Sequence, residues 1–180
     1  MKRSLLLLLI TGITLLSCTQ SPDDSIISAI YSADKSRPTL NVLQTSALID
    51  GEAGGEILYN QVFVDNEGRN INVFAWLRVL PNSFSGSQNI TMILNPEDAT
   101  VQFFPEMVFN RSIRLNLSYT GLEVKRLGYT SNENVDFVYF NSDGKTELIE
   151  NTYSKVRIDE DNIRVENAKL LHFSRYGWIR

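Results

Sequence analysis

The triplet His172-Phe173-Ser174, near the C-terminus, has the residue types and spacing of a self-cleaving device. A serine hydroxyl can attack the carbonyl of the residue before it, while an imidazole two residues upstream takes the hydroxyl proton. Ser174 would be the nucleophile, His172 the base, and Phe173–Ser174 the bond that is broken. Strained backbone at that bond would lower the barrier, and water would hydrolyse the resulting ester.

The same triplet also suits a structural role in an ordinary β-strand. In a strand, His172 and Ser174 lie on one face and Phe173 on the other, which places Phe173 in a core and the polar pair at its rim. Cleavage would detach only the short segment "SRYGWIR", with no downstream domain to release. We therefore interpret the triplet as part of a closing strand and keep self-cleavage as the alternative.

Cys18 is the only cysteine of the chain, and the residues before it have the pattern of an export signal. Lys2 and Arg3 give a positive start. The apolar run from Leu5 to Leu16 is interrupted by polar residues and is too short to span a bilayer, which takes ~20 apolar residues. This arrangement predicts a secretory signal peptide.

The stretch "LLSC" that ends at Cys18 resembles the lipobox of bacterial lipoproteins. The resemblance implies a diacylglycerol on the Cys18 sulfur, cleavage of the bond before it, and acylation of the new amino group. Because a single cysteine cannot form a disulfide within one chain, a lipid anchor also explains its presence in an exported protein. Acyl chains stabilise membrane attachment by ~0.8 kcal/mol per buried methylene. Cys18 is thus the predicted lipid-attachment residue, and the lipid bilayer a predicted partner.

The chain divides into three predicted segments. These are a signal peptide over residues 1–17, a lipidated N-terminus and linker over 18–40, and a β-sandwich domain over 41–180. The linker is rich in Ser, Asp, Thr and Pro, which indicates a flexible tether. Thr19 and Gln20 follow the cysteine, with no acidic residue between. In lipoproteins this implies the outer membrane, with the periplasmic or surface face left open.

The charge balance bears on the class of partner. The chain has 17 basic and 21 acidic residues. Loss of residues 1–17 removes Lys2 and Arg3, so that 15 basic residues remain against 21 acidic ones, a net charge near −6. Nucleic-acid binding needs grouped Lys and Arg, so we expect no nucleic-acid partner. The ~160 remaining residues suit one domain that buries ~70% of its unfolded surface.

The body of the chain, from about Arg37 onward, consists of short runs of period two separated by turn residues. The clearest run is "SIRLNLSY", in which Ile, Leu, Leu and Tyr alternate with polar residues, as in a half-buried antiparallel strand. Three stretches predict hairpins: "DNEGRN", "NSDG" and "DEDN" form their turns. The predicted strands are Ile57–Val64, Ile71–Leu80, Ile90–Leu94, Thr100–Phe104, Ser112–Tyr119, Val135–Asn141, Thr146–Glu150, Tyr153–Ile158, Ile163–Val165 and Lys169–Phe173.

Many short strands with turns between them predict an all-β fold, an antiparallel β-sandwich of the immunoglobulin-like kind. We expect the aromatic side chains of the strands to fill the space between the two sheets. These residues are Phe63, Phe74, Trp76, Phe103, Phe104, Phe137 and Tyr139.

Three stretches, in this order, resemble the "ZU-five" β-sandwich module of ankyrins and netrin receptors. They are "GEAGGEILYNQVFV", "VLPNSFSGSQNITMIL" and "FNRSIRLNLSYTGL", followed by the closing "HFSRYG". Ser83 and Phe84 stand where that family has Gly-Ala, and Ser112 replaces a proline. The resemblance spans roughly residues 45–178 and implies the fold alone, because the chain has no room for the further domains of the eukaryotic members.

Other kinds of site find little support in the sequence. One histidine and one cysteine leave no thiolate–imidazole pair and no predicted zinc site, and we expect no cofactor. The acidic turns do not match a calcium-binding loop, although weak calcium binding there stays open. A carbohydrate-binding protein would need an exposed aromatic platform, for which Tyr176 and Trp178 are the candidates.

The sequence therefore predicts a membrane-anchored bacterial envelope lipoprotein whose β-sandwich is a non-enzymatic interaction or adhesion module. Its partner would be an unidentified envelope protein or extracellular ligand. The alternative is an autoproteolytic domain that cleaves at Phe173–Ser174.

Overall fold

Two antiparallel sheets of six strands each form the fold, as seen in a computed structural model that describes residues 43–65 and 67–179. The predicted all-β sandwich is confirmed. The predictions on the signal peptide, Cys18 and the linker lie outside the described residues. The strands are β1 (Leu43–Asp50), β2 (Gly55–Val64), β3 (Asn70–Val79), β4 (Ser87–Asn95), β5 (Thr100–Phe104), β6 (Val108–Thr120), β7 (Glu133–Asn134), β8 (Asp136–Phe140), β9 (Thr146–Leu148), β10 (Tyr153–Arg157), β11 (Asn162–His172) and β12 (Arg175–Ile179).

The strand order separates the two sheets clearly. Sheet A has the order β1-β4-β5-β12-β8-β9, and sheet B has the order β2-β3-β6-β11-β10-β7. A single 3-10 turn, Ile158–Glu160, precedes β11. Within the described ranges, no helix is long and apolar enough to cross a membrane.

All three predicted hairpins are confirmed: β2 pairs with β3, β8 with β9, and β10 with β11. In the first, Asp65 fixes the turn, because its Oδ1 accepts hydrogen bonds from the backbone N–H groups of Glu67 and Arg69, each at 2.9 Å. Gly54, just before β2, has φ +80°, and a Cβ there would lie 2.6 Å from the Val79 carbonyl oxygen. Only glycine fits so close a turn into the strand.

The core lies between the sheets and follows the period of two. Along β6 the predicted inner face is confirmed, since Ile113, Leu115, Leu117 and Tyr119 are fully buried. The Tyr119 hydroxyl donates to the Thr100 carbonyl oxygen at 2.6 Å and so joins sheet B to sheet A. Burial, with a further contribution from Asp98, raises the pKa of Tyr119 well above its usual value.

The sequence does not predict three of the twelve strands, and two of its predicted strands form one strand of the structure. The strands without a prediction are β1, the two-residue β7 and β12, whereas Ile163–Val165 and Lys169–Phe173 belong to the single strand β11. A register shift between Val165 and Ala168 interrupts its pairing with β6. The polar residues inside this bulge gave the appearance of a loop between two short strands.

The aromatic residues do not all face the core, which corrects the prediction for Phe74, Trp76 and Phe104. Phe74 and Trp76 are half-buried and alternate along β3 with Val73, Ala75 and Leu77, which are fully buried. They therefore lie on the outer face of sheet B. Phe104 follows the buried Phe103 directly, so the two side chains must point to opposite faces.

Candidate functional site

The triplet His172-Phe173-Ser174 forms a corner between the two sheets. β11 of sheet B ends at His172, and β12 of sheet A begins at Arg175. The interpretation of the triplet as part of a closing strand is therefore wrong, because β12 follows it as the last strand of the sandwich. The break between β11 and β12 cannot be inferred from the sequence, because apolar and polar residues continue to alternate through the corner.

Phe173 anchors this corner in the core. Its side chain is 2% exposed, stacks on Phe103 with ring centroids 4.9 Å apart, and meets Phe109 edge-on at 4.6 Å. The backbone is held on both sides, because the Phe173 N–H donates to the Met107 carbonyl oxygen and the Ser174 carbonyl oxygen accepts from the Phe103 N–H. Backbone hydrogen bonds thus hold the chain in the sandwich on both sides of the Phe173–Ser174 bond.

His172 is engaged by two tyrosines. Its Nδ1 lies 3.3 Å from the Tyr176 hydroxyl, which also donates to the His172 carbonyl oxygen, and the imidazole meets the Tyr139 ring at 4.4 Å. Burial, aided by Tyr139 and Glu147, raises the pKa of Tyr176. In the part of the chain that the structure describes, no hydrogen bond joins His172 to Ser174. A general base needs that contact, so this geometry favours a structural role, and self-cleavage stays a prediction.

Tyr176 and Trp178 cannot form an exposed carbohydrate platform. Tyr176 is fully buried and Trp178 is 8% exposed, with its indole N–H donating to the Ser154 hydroxyl at 3.0 Å. Both lie on β12, which sits between β5 and β8 inside sheet A, and their side chains point toward sheet B. The proposal of these two residues as a platform is wrong.

An open groove of about 440 Å³ lies instead on the outer face of sheet B. It crosses β3, β6 and β11, which are interior strands of that sheet. Phe74 and Trp76 of β3 line one side, and they stand directly opposite Ser118 and Asn116 of β6. Grooves of about 300–1,000 Å³ with aromatic walls and a few polar groups are typical of ligand sites.

The bulge in β11 shapes the other side of the groove. Glu166 and Asn167 lie within the register shift, opposite Asn116, and Asn167 has φ +55°. The Asn167 N–H donates to the Asn116 Oδ1 at 2.6 Å, while Thr152 donates to the Glu166 carbonyl oxygen from both its N–H and its hydroxyl. Bulges re-aim side chains and often lie beside functional sites. This one turns Glu166 and Asn167 toward the groove.

Arginines dominate the charge of the groove. Arg78 and Arg114 stand directly opposite each other on β3 and β6, and Lys169 of β11 stands opposite Arg114 on its other side. Lys169 forms an ion pair with Glu150. Among the described residues, neither Arg78 nor Arg114 has a carboxylate partner. Like charges in direct cross-strand opposition are destabilising, so Arg78 and Arg114 repel each other. Glu56 on β2 stands opposite Arg78, and with the Glu150 partner of Lys169 it reduces this repulsion.

The arginine side chains are positioned by aromatic rings. The Arg78 guanidinium lies over the Trp76 ring, 5.1 Å from its centroid, and the Trp76 indole N–H donates to the Glu56 carboxylate at 2.9 Å. The Arg164 guanidinium lies 4.5 Å from the Tyr153 ring centroid. Such cation–π contacts hold a guanidinium in place without neutralising its charge.

Several hydrogen-bond donors of the groove lack partners. Arg114 Nη1 is buried and has no hydrogen-bond partner among residues 43–65 and 67–179, and the same holds for Arg164 Nε, which lies 3.6 Å from a Glu166 carboxylate oxygen. The Asn116 Oδ1 is occupied by Asn167, which leaves its amide N–H groups to face the groove. The Ser118 hydroxyl also has no partner within the described residues. The site therefore offers a surplus of donors.

The groove contains no arrangement typical of catalysis. Glu166 is its single carboxylate, and it holds no histidine or cysteine. In the described part of the chain, no group of three or more His, Cys, Asp or Glu side chains could hold a metal ion. The arrangement is suited to binding an acceptor-rich ligand.

The sequence carries one signal for this site. In "SIRLNLSY" the polar face presents Arg114, Asn116 and Ser118, which the period of two alone assigns to the outer face of a half-buried strand. The residues of β3 around Phe74 and Trp76 are apolar on both faces of the strand. The sequence alone therefore does not show that the face with Phe74 and Trp76 is partly exposed. Apolar side chains grouped on the solvated face of a sheet can mark an interaction site.

Comparison with known proteins adds no assignment: no family model, curated protein or solved structure matches this chain.

Proposed function

We propose that the protein is a membrane-anchored bacterial envelope lipoprotein whose β-sandwich is a non-enzymatic binding module, with the groove on the outer face of sheet B as its binding surface. The observation that carries the proposal is the surplus of unpartnered donors over Phe74 and Trp76. The two buried donors among them, Arg114 Nη1 and Arg164 Nε, cost stability unless a ligand or water satisfies them. The ZU-five resemblance implies only the fold and assigns no partner.

The binding role is tested with cell envelopes of the producing bacterium and the chain from Thr19 onward, which keeps the whole sandwich and lacks the lipid. Envelopes are sedimented with increasing protein, and the bound fraction is measured. We expect saturable binding that Ser118→Trp abolishes by filling the groove. Ser142→Trp, in the exposed β8–β9 turn, is the matched control and should bind like the unmodified chain. Equal binding by both variants, or no saturable binding, contradicts the proposal.

The anchor is proposed from the lipobox at Cys18. Cys18→Ser should abolish incorporation of labelled palmitate and leave the uncut precursor. Labelling that persists in this variant contradicts attachment at Cys18.

Self-cleavage is the second proposal, supported only by the residue types of the triplet. Denaturing mass spectrometry of the folded chain decides it. Loss of "SRYGWIR" that Ser174→Ala prevents would establish cleavage, and an intact mass after prolonged incubation would exclude it.

A further inference from the structure

We propose that the groove binds an acidic glycan, meaning a saccharide whose carboxylate or sulfate is held by Arg78 and Arg114. This inference rests on the proposed binding function and names its ligand class. The groove joins two features that such a ligand requires: paired guanidinium groups for an oxyanion, and an aromatic side chain with small polar neighbours for the sugar ring.

The anion site follows from the arginine pair. Arg78 and Arg114 stand directly opposite each other on β3 and β6, and neither forms an ion pair with a carboxylate among the described residues, although Glu56 lies opposite Arg78 on β2. A guanidinium binds a planar or tetrahedral oxyanion through two parallel N–H···O bonds. An oxyanion between Arg78 and Arg114 would satisfy the buried Arg114 Nη1 and remove the repulsion between the two charges.

The sugar site follows from the rows next to the arginines. Asn116 and Ser118 follow Arg114 on the same face of β6, two and four residues further along the strand. Their free donors suit the hydroxyl and ring oxygens of a saccharide. The Phe74 ring, opposite Ser118, has no ring contact with other described residues. Its apolar face can cover the C–H face of a sugar ring. The Trp76 ring differs, because Arg78 lies over it.

Other anionic partners fit less well. A peptide recognised as an added strand needs a free sheet edge, whereas β3 and β6 are paired on both sides. A nucleic acid or an anionic membrane surface needs a broad basic face, and the whole chain has a net charge of −4. The local concentration of arginines on an acidic protein favours a ligand with isolated negative groups.

Isothermal titration calorimetry of the chain from Thr19 onward tests the inference, at fixed and moderate salt because charge contacts are screened. The probes are hexagalacturonate, its fully methyl-esterified form, a heparin hexasaccharide and hexaglutamate. We expect at least one acidic saccharide to bind. For hexagalacturonate, we expect the uncharged ester to bind at least tenfold more weakly. Arg78→Met and Arg114→Met should each weaken binding about tenfold or more, since one charge-assisted contact is worth about that factor.

The control variants separate charge recognition from damage to the fold. Arg157→Met removes an arginine outside the groove that pairs with Glu160, and it should leave affinity within about twofold. Arg114→Lys keeps the charge but loses the two-point geometry, and it should retain part of the affinity.

Equal binding of the ester and the acid, or binding by hexaglutamate with the same arginine dependence, overturns the glycan assignment. So does the absence of binding by both acidic saccharides. Envelope sedimentation that still depends on Ser118 would then show that the binding function stands while the ligand class is wrong.

Discussion

Replacing Arg114 by methionine is expected to leave the domain as stable as before or more stable, although it deletes a half-buried charged side chain. Arg114 lies in the middle of a cross-strand row, with Arg78 on one side and Lys169 on the other. Its Nη1 is buried without a partner in the described chain. Both features oppose folding of the free protein, and methionine removes both while keeping the aliphatic stem.

The expected gain follows from these contacts. Like charges directly opposite on a sheet cost about 0.2–1 kcal/mol for each pair. A buried donor without a partner costs about 1–3 kcal/mol. Three features reduce these figures: the partial exposure of Arg114, the Glu56 carboxylate opposite Arg78, and the ion pair of Lys169. We therefore expect the free energy of unfolding to rise by about 1 kcal/mol or less. For a domain of this size the melting temperature should rise by up to about 3–5 °C.

Urea and thermal unfolding of the chain from Thr19 onward provide the assay. Arg157→Met is the control, because Arg157 forms surface ion pairs with Asp159 and Glu160. Its loss should lower stability by about 0–1 kcal/mol. If Arg114→Met instead loses more than about 1 kcal/mol, Arg114 has a stabilising partner, and the reasoning that it awaits a ligand is refuted.

Three further predictions concern the rest of the sandwich. Phe173→Ala should cost about 3–5 kcal/mol in urea unfolding, since Phe173 fills the core, while Ser174→Ala should cost less than about 0.5 kcal/mol; equal losses would contradict the structural role of the corner. Tyr119→Phe should cost about 1–2 kcal/mol by removing the hydrogen bond between the sheets, and an unchanged melting curve would contradict it. Burial alone would raise the pKa of Asp65, but the hydrogen bonds from the Arg69 N–H and guanidinium lower it below its usual value. The stability that Asp65 adds should therefore be complete above about pH 4 and disappear as the pH falls through its lowered pKa. The free energy of unfolding of the unmodified chain and of Asp65→Asn is measured as a function of pH. A difference between the two that does not narrow in acid would contradict this.

The fold could be predicted from the sequence wherever strands alternate cleanly and turns carry distinctive residues. From Ser112 to Thr120, β6 shows the period of two without interruption. The Asp65, Asp143-Gly144 and Asp161 turns identify three hairpins. β11 was divided in the prediction because Glu166 and Asn167 add one residue to the period. Nothing local indicates that one of these two residues is the extra residue of a bulge, since the pairing partner Asn116 is distant in sequence.

The site could not be predicted because it depends on the register between strands. Arg78 and Arg114 are far apart in the chain, and only the pairing of β3 with β6 places them opposite each other. Conversely, His172 and Ser174 are close in sequence, and yet the corner at Phe173 turns the chain from one sheet to the other between them. Proximity along the chain was a poor guide to proximity in the site.

The two tryptophans provide the most direct test of the central claim that the groove of sheet B binds the ligand. Trp76 lines the groove and its indole N–H donates to Glu56, whereas the Trp178 indole N–H is held in the sandwich by Ser154. In a nitrogen-labelled chain each gives one resonance, followed by NMR during titration with hexagalacturonate. We predict that the Trp76 resonance shifts saturably and the Trp178 resonance stays in place. A saturable shift of Trp178 alone, or calorimetric binding that leaves Trp76 unmoved, would contradict the account.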